Sequence, residues 1–198
     1  MRPGTFERVY AAIRRQLREG AFKPGDRLEP AMLSEQLNAS VTPVRDALHR
    51  LTGERLVEAP RHEGFRVPML TETTLRHLYA WHRDLLLLAV AGHRRRQASS
   101  RPLPSLDAAA SDPHALFTVI AQATGNPEHV IALDALADRL GPLQRLETVL
   151  LDALEEETVE IAAAVESKDA RRLRSALLRY HRRRERIVPE LIERLYAR

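Results

Sequence analysis

The sequence predicts a mainly α-helical chain in two parts, three helices with a β-hairpin followed by an all-α helical bundle. Apolar residues recur at helical spacing through most of the 198 residues. Residues 56–67 differ, because two short apolar segments there flank a turn that contains Pro and Gly. We therefore expect a first domain over residues 1–70 and a second over residues 71–198.

The first two helices follow from apolar spacing and from their end signals. Residues 5–19 carry an apolar stripe, and Gly20 is a natural helix stop. The stripe consists of Phe6, Val9, Tyr10, Ile13 and Leu17. Pro30 suits the first turn of a second, short helix, which we expect to turn Met32, Leu33 and Leu37 inward.

A third helix is predicted from the pair Thr42-Pro43. Threonine caps free amide groups and proline fits the first helical position. The expected buried stripe is Val44, Ala47, Leu48 and Leu51. Leu56–Ala59 and Phe65–Val67 then read as two strands around the turn 60–64. Three helices and a hairpin in this order are typical of a winged helix-turn-helix.

The rest of the chain shows only helical patterns. One helix is expected from Glu72 to about Arg95, and others at about 113–124, 128–140, 143–166 and 169–187. A short terminal helix follows a break at Pro189. Residues 97–111 are rich in Ser, Pro and Ala, and predict a loop.

Composition narrows the class of protein. The chain has no cysteine, and its start lacks the apolar core of a signal peptide. Its longest apolar run, Leu85–Ala91, is far shorter than the roughly 20 residues of a membrane helix. We therefore expect a cytoplasmic protein without membrane contact. The net charge of +4 is a weak argument for nucleic acid by itself.

The outer face of the third helix is suited to DNA. A helix that enters the major groove needs polar side chains outside and apolar ones behind. Arg45 lies in the first turn, where a guanidinium can bond guanine O6 and N7. Ser40, Thr42 and the helix-start amides can hold phosphates. The complete predicted DNA-facing set is Ser40, Thr42, Pro43, Arg45, His49, Arg50, Arg61, His62 and Gly64.

The segments that carry this pattern resemble the DNA-binding domain of the GntR family. TPVRDAL at 42–48 and LVE with EGFRV at 56–67 are similar to that family's recognition helix and wing. The resemblance spans Val9 to Val67. It implies contact with double-stranded operator DNA through Ser40, Thr42, Arg45 and the wing. Val41 stands where the family usually has arginine, which predicts a changed operator preference.

The second part resembles the FadR-like branch of that family, with a helical C-terminal effector domain. The likeness rests on LYAWHR at 78–83, LFTVIAQATGN at 116–126, and residues 162–181. Many members of the branch bind a divalent metal through one aspartate and three histidines, and a carboxylic acid docks on the metal. The matching positions here carry Pro113, Phe117, Thr158 and Tyr180. Asp112 and His181, each beside one of them, are the remaining metal candidates, too few for a site. We expect no cofactor.

An effector site is the least determined feature of the sequence. Arg83 resembles an arginine at the pocket mouth of the branch and could hold an effector carboxylate, but an ion-paired or solvated role is equally compatible. His82 lies on an apolar stripe, which favours a buried, hydrogen-bonded histidine. The candidate pocket is Arg83, His82, Phe117 and His181. The arginine run 182–184 with Arg186 is interpreted as a solvated helix face.

The expected function is a dimeric, operator-binding transcription regulator, with repression as the favoured sign. A second copy is expected because one helix-turn-helix reads only a half-site. Two interpretations of the helical domain stay open, one in which it binds a small organic-acid effector and one in which it only dimerises. An enzyme is not expected, because the sequence has no Gly-rich phosphate loop, no Gly-x-Ser-x-Gly elbow and no convergent acid–base pair.

Overall fold

The computed structural model describes residues 4–96 and 112–197, except for the side chains of 93–96. The predicted loop over 97–111 lies outside these residues. The chain divides into two compact units. One unit comprises Met1–Thr71, Asp138–Gln144 and Ile192–Arg198, and the other Glu72–Ala137 and Arg145–Leu191. The mainly α-helical class predicted from the sequence is confirmed.

The three predicted N-terminal helices are present as α1 (Thr5–Arg18), α2 (Pro30–Gln36) and α3 (Val41–Gly53). They enclose one apolar core, to which α1 and α3 contribute residues of their expected stripes and α2 contributes Leu33. The core members are Val9, Ile13, Leu17, Leu28, Leu33, Val44, Ala47, Leu48, Leu51, Leu56 and Val57. Helical spacing therefore identified the inward face of α1 and of α3 correctly.

Two expectations about α2 and α3 were wrong. Met32 is 59% exposed, whereas its neighbour Leu33 is 3% exposed. Successive residues of a helix point about 100° apart, so Met32 and Leu33 cannot both face the core. Leu33 faces it and Met32 faces solvent. Thr42 is also not the cap of α3, because the helix begins at Val41 with Ser40 as its N-cap residue and no side-chain cap bond.

The predicted hairpin is present only as single bridges, and the described residues contain no extended strand. Glu58 and Arg66 exchange two backbone hydrogen bonds of 2.8 and 2.9 Å, and Arg27 lies across from Arg66 on the other side. Pro60 and Pro68 have no N–H group to donate, so the ladder stops near this pair. The wing is thus a short loop in which the segments around Glu58 and Arg66 pair with each other, and a third segment near Arg27 pairs with Arg66. The sequence did not indicate this third segment.

The helices of the C-terminal half are α4 (Glu72–Arg96), α5 (Pro113–Gln122), α6 (Pro127–Leu150), α7 (Leu154–Glu166), α8 (Ala170–Arg186) and α9 (Val188–Tyr196). The predicted short terminal helix is present, but the break before it falls at Ile187, and Pro189 lies in the first turn of α9. The predicted break near residue 141 was wrong, because α6 continues through Pro142. The chain breaks instead at Ala153, which has φ 49°. None of the described helices is both long and apolar enough to cross a membrane.

Within the first unit, Gly141 of α6 lies directly against the end of α1. A Cβ atom at this position would come 2.6 Å from the carbonyl oxygen of Arg18. The carboxylate of Asp138, one turn earlier, accepts a 2.6 Å hydrogen bond from Nε of Arg14. Gly141 is therefore required for close approach of two backbones, a role that its sequence position did not indicate.

The start of α8 depends on a side-chain cap. The carboxylate of Asp169 accepts hydrogen bonds of 3.0 Å from the amides of Arg171 and Arg172. Arginines in the first turn of a helix are disfavoured by the positive end of the helix dipole. The negative charge of Asp169 partly neutralises the positive charges of this turn. Asp169 therefore both caps the helix and offsets its local charge.

We predict that Asp169→Ala lowers the free energy of unfolding by about 1 kcal/mol, because two helix-start amides lose their acceptor. Asp169→Asn is the matched control, since its amide oxygen can still accept both bonds. Urea unfolding followed by circular dichroism gives the two values. Equal losses in both variants would contradict a capping role.

Candidate nucleic-acid interface and buried polar cluster

The outer face of α3 presents a free cation between exposed polar groups. Ser40, Thr42 and Arg45 are exposed, while Val44 and Leu48 behind them are fully buried. Among the described residues, Arg45 makes no hydrogen bond or ion pair. Its guanidinium therefore remains available for an external acceptor.

Arg50 differs from Arg45, although the sequence assigned both to the DNA-facing set. Its guanidinium carbon lies 4.0 Å from the ring centroid of Tyr10, and its Nε lies 3.2 Å from Glu54. The Tyr10 hydroxyl donates to the same carboxylate at 2.8 Å. Arg50 thus packs against α1, where it stacks on the Tyr10 ring and forms an ion pair with Glu54.

The wing is attached to α3 through an aromatic contact. His49 meets the ring of Phe65 edge-on, with centroids 4.9 Å apart. Arg61, His62 and Gly64 are exposed at the wing tip. His62 has φ 65° and Gly64 has φ 78°, which gives the turn two left-handed residues. The structure therefore brings the predicted wing residues together at one exposed tip.

The turn between α2 and α3 is held by a residue that the sequence reasoning missed. Arg8 of α1 donates to the carbonyl oxygens of Leu37 and Asn38 at 2.7 and 3.2 Å. Asn38 has φ 48°, a left-handed conformation that asparagine tolerates. Arg8 therefore holds the turn that sets the angle between α2 and α3. In the sequence it could be recognised only as a basic residue on the exposed side of α1.

The predicted effector residues converge in the second unit, but as a packed cluster. The ring of Phe117 lies edge-on to His82 and to Tyr180, with centroid separations of 5.0 and 5.1 Å. His82, Phe117 and His181 are at most 5% exposed. Rings in contact at these distances leave no room between them for an effector.

His82 and His181 bond to each other. The Nδ1 of His82 lies 2.9 Å from Nε2 of His181, whose Nδ1 lies 2.7 Å from the carbonyl oxygen of Leu177. A carbonyl only accepts, so His181 carries its proton on Nδ1 and receives a hydrogen bond from His82 at Nε2. Burial lowers the pKa of His82 well below its ordinary value and that of His181 to about 4. Both rings are neutral, and both nitrogens of His181 are occupied.

The residues do not fit the divalent metal of the FadR-like branch. Phe117 and Tyr180 offer a ring face and a phenol where imidazoles are required. Asp112 is exposed and caps α5 by accepting from the amide of His114 at 2.9 Å. Across the described residues no three His, Cys, Asp or Glu side chains form a metal-binding group.

Arg83 is ion-paired. Its guanidinium lies 2.8 Å from Glu185 and 3.1 Å from Asp84. A separate apolar cleft of about 420 Å³, its open mouth included, is lined by residues such as Ala89, Ile120 and Leu173, with Lys168 among them. The cleft contains none of the four predicted effector residues.

The interpretation of residues 182–184 as a solvated face was wrong for Arg184, which is 2% exposed. Its Nε lies 2.8 Å from Glu147 and its NH1 lies 2.8 Å from Glu157. The Tyr79 hydroxyl donates to Glu147 at 2.7 Å. Sequence reasoning missed this cluster because its members come from four helices with no shared spacing.

We predict that acid destabilises the protein through the histidine pair. Unfolded histidine binds a proton below a pH of about 6.5. The folded pair resists protonation, since its pKa is lowered, for His181 to about 4. The contribution is full above pH 6.5 and is lost as the pH falls from there towards 4. Melting temperatures measured across this range should fall.

The double variant His82→Gln/His181→Asn should show a flatter decline, because the two titrating groups are gone. His62→Ala, which removes an exposed histidine at the wing tip, is the control and should keep the wild-type slope. If the double variant declined as steeply as the wild type, the pair would not be the acid-sensitive element.

Comparisons with known proteins confirm the resemblance inferred from the sequence. Residues 5–67 match the family described as "Bacterial regulatory proteins, gntR family". The HTH-type transcriptional regulator McbR of Escherichia coli K12 is 39% identical over 79 residues, 40% of this chain and 36% of that protein. The HTH-type transcriptional repressor GlaR of the same organism is 30% identical over 70 residues, 35% of this chain and 32% of that protein.

The matched region thus spans about a third of the length of these relatives. The solved structure of E. coli McbR/YncC has the same fold, with a TM-score of 0.72 and 24% identity over 96% of this chain and 99% of that one. The helical C-terminal half expected from the resemblance is therefore confirmed as a fold. Through residues 5–67 the chain is similar to the GntR family of bacterial regulatory proteins.

Proposed function

We propose that this protein is a dimeric, sequence-specific DNA-binding transcription regulator that represses its target genes in the cytoplasm. Residues 1–70 contact the operator, and residues 71–198 form the dimerisation and effector domain. The observation that carries the proposal is Arg45, an exposed guanidinium without a described partner on the outer face of α3. The surrounding residues 5–67 match a family of bacterial regulatory proteins, which supports a role for that face in binding DNA.

The geometry of α3 suits the major groove. Arg45 lies in the N-terminal part of the helix, which is the part of a recognition helix that contacts base edges. Ser40 and Thr42 are exposed beside the free amides of the helix start, a position that favours phosphate. Arg61 at the wing tip supplies a second cation. Base contact by Arg45 and backbone contact by the others form the proposed interface.

Dimerisation follows from the same geometry. One recognition helix reads a half-site of a few base pairs, and specificity in a genome requires two such sites. The second copy is therefore part of the proposed function.

The favoured form of the proposal includes an organic-acid effector. Because the rings of His82, Phe117 and His181 occupy the predicted pocket, we place the effector in the apolar cleft lined by Leu173 and Lys168. The cleft is lined almost entirely by apolar groups and opens to solvent, and small-molecule sites are typically apolar in the same way. Lys168 offers a cation for the carboxylate. The second candidate function is a regulator whose helical domain only dimerises, and the closed ring cluster favours it.

We predict that Arg45→Ala weakens operator binding by about 1–3 kcal/mol and relaxes preference at one base position. The probe is the operator selected by the purified protein from random double-stranded DNA. Fluorescence anisotropy against this DNA and against single-base variants measures both effects. Unchanged affinity would remove Arg45 from the interface.

Arg50→Ala is the matched control, since Arg50 is held on Tyr10 and Glu54. It should lower the melting temperature and leave base preference unchanged. Arg61→Ala should weaken binding to all sequences alike and reduce the salt slope of log affinity by about 0.9, the loss of one phosphate contact. A salt slope near zero in the wild type would contradict DNA binding through these basic residues.

We predict that one class of small carboxylic acids raises the melting temperature in a concentration-dependent way, because a ligand that binds only the folded state stabilises it. Leu173→Trp fills the cleft and should abolish the rise. A rise that persists in this variant would place the effector elsewhere. No rise with any acid of the panel would favour the helical domain that only dimerises.

A further inference from the structure

The second unit contains a fully paired cation in its interior. Arg184 of α8 is 2% exposed and lies between carboxylates from two other helices. Its Nε lies 2.8 Å from Glu147 of α6, and its NH1 lies 2.8 Å from Glu157 of α7. The guanidinium carbon lies 3.3 Å from the ring centroid of Tyr180. A planar cation with several donors is suited to joining groups that approach from different directions.

The surrounding groups complete the charge balance. Glu147 also accepts the hydroxyl proton of Tyr79 on α4, at 2.7 Å. NH1 of Arg183, which is partly exposed, lies 3.4 Å from the other oxygen of Glu157. Two arginines therefore face two glutamates, and the phenol donates a further hydrogen bond to Glu147, while Oε1 of Glu157 has an ion pair but no hydrogen-bond partner among the described residues. Removing one partner from such a buried set leaves an uncompensated charge, which is strongly destabilising.

Four helices meet at this cluster, namely α4, α6, α7 and α8. A structural metal ion does the same in other proteins by drawing ligands from separate elements, and its binding free energy becomes folding free energy. In this cluster the carboxylates of Glu147 and Glu157 are already paired with a guanidinium. The imidazoles of His82 and His181 are bonded to each other.

We propose that Arg184 is the internal cation of this bundle. It replaces the divalent metal of related regulators by joining Glu147 and Glu157, so that the helical domain folds independently of metal. The guanidinium supplies the positive charge, and Tyr180 supplies a ring face that orients it. The pairing of Arg184 holds the bundle together whether or not the DNA-binding and effector proposals are correct.

The test uses thermal melting of the full chain in buffers with EDTA, Mn²⁺ or Zn²⁺. The wild type should melt at the same temperature in all three. Arg184→Ala should melt about 10 °C lower, because it leaves two buried carboxylates facing an empty space. Arg182→Ala, an exposed neighbour on the same helix, is the matched control and should melt like the wild type.

Rescue distinguishes an internal cation from ordinary packing. Low-millimolar guanidinium or Mn²⁺ should raise the melting temperature of Arg184→Ala, whereas equal ionic strength from NaCl should not. The rescue should be lost in Arg184→Ala/Glu147→Gln, where one carboxylate is neutral. If Arg184→Ala does not fold, the uncharged variant Arg184→Met/Glu147→Gln/Glu157→Gln tests the proposal in its place. This variant should fold and melt near the wild-type temperature.

Three results would overturn the proposal. A fall of the wild-type melting temperature in EDTA, or a rise with Mn²⁺ or Zn²⁺, would show that a metal stabilises the bundle. Arg184→Ala melting like the wild type would show that the guanidinium holds nothing together. An unfolded triple variant would show that the interior needs these groups for some reason other than balancing the charge of Arg184.

Discussion

An arginine stacked on a tyrosine ring and paired with glutamate recurs in both units of the protein. In the first unit Arg50 lies over Tyr10 and pairs with Glu54. In the second unit Arg184 lies over Tyr180 and pairs with Glu147 and Glu157. A guanidinium tolerates burial only when its charge and its N–H groups are matched. Arg184 is 2% exposed and is subject to this constraint, whereas the side chain of Arg50 is about half exposed and is held by the ring and the ion pair alone. Arginines with such partners hold the fold, and those without them remain available to an external acceptor.

The same distinction separates Arg45 from Arg50 on one short helix. Both are cationic and both lie outside the apolar stripe of α3, so composition and spacing treat them alike. Arg50 lies five residues, or about 1.4 turns, further on, at the edge of the face next to α1. There Tyr10 and Glu54 engage it, whereas Arg45 keeps its donors for an external acceptor. The proposed DNA contact thus depends on a partition of arginines that only the three-dimensional arrangement reveals.

The sequence predicted what depends on local periodicity and missed what depends on long-range pairing. The stripe Val44, Ala47, Leu48 and Leu51 was found because residues on one helix face repeat regularly. Met32 was placed wrongly because two adjacent apolar residues compete for one contact, and spacing does not choose between them. Arg184 was placed on a solvated face because its partners Glu147 and Glu157 lie on other helices.

The closed interior also restricts how the protein could sense a small molecule. The positions that resembled a metal and effector site converge, but Phe117, Tyr180 and His82 fill that space with rings. Next to them Arg184 is already paired with the buried carboxylates of Glu147 and Glu157, so an acidic ligand would have to displace one of them. The cleft near Leu173 is apolar and opens to solvent, so it offers an effector a position that displaces none of these pairs. A bundle whose buried charges are paired in this way needs no ligand to fold. A dimerising role and a sensing role are therefore separate proposals for this chain.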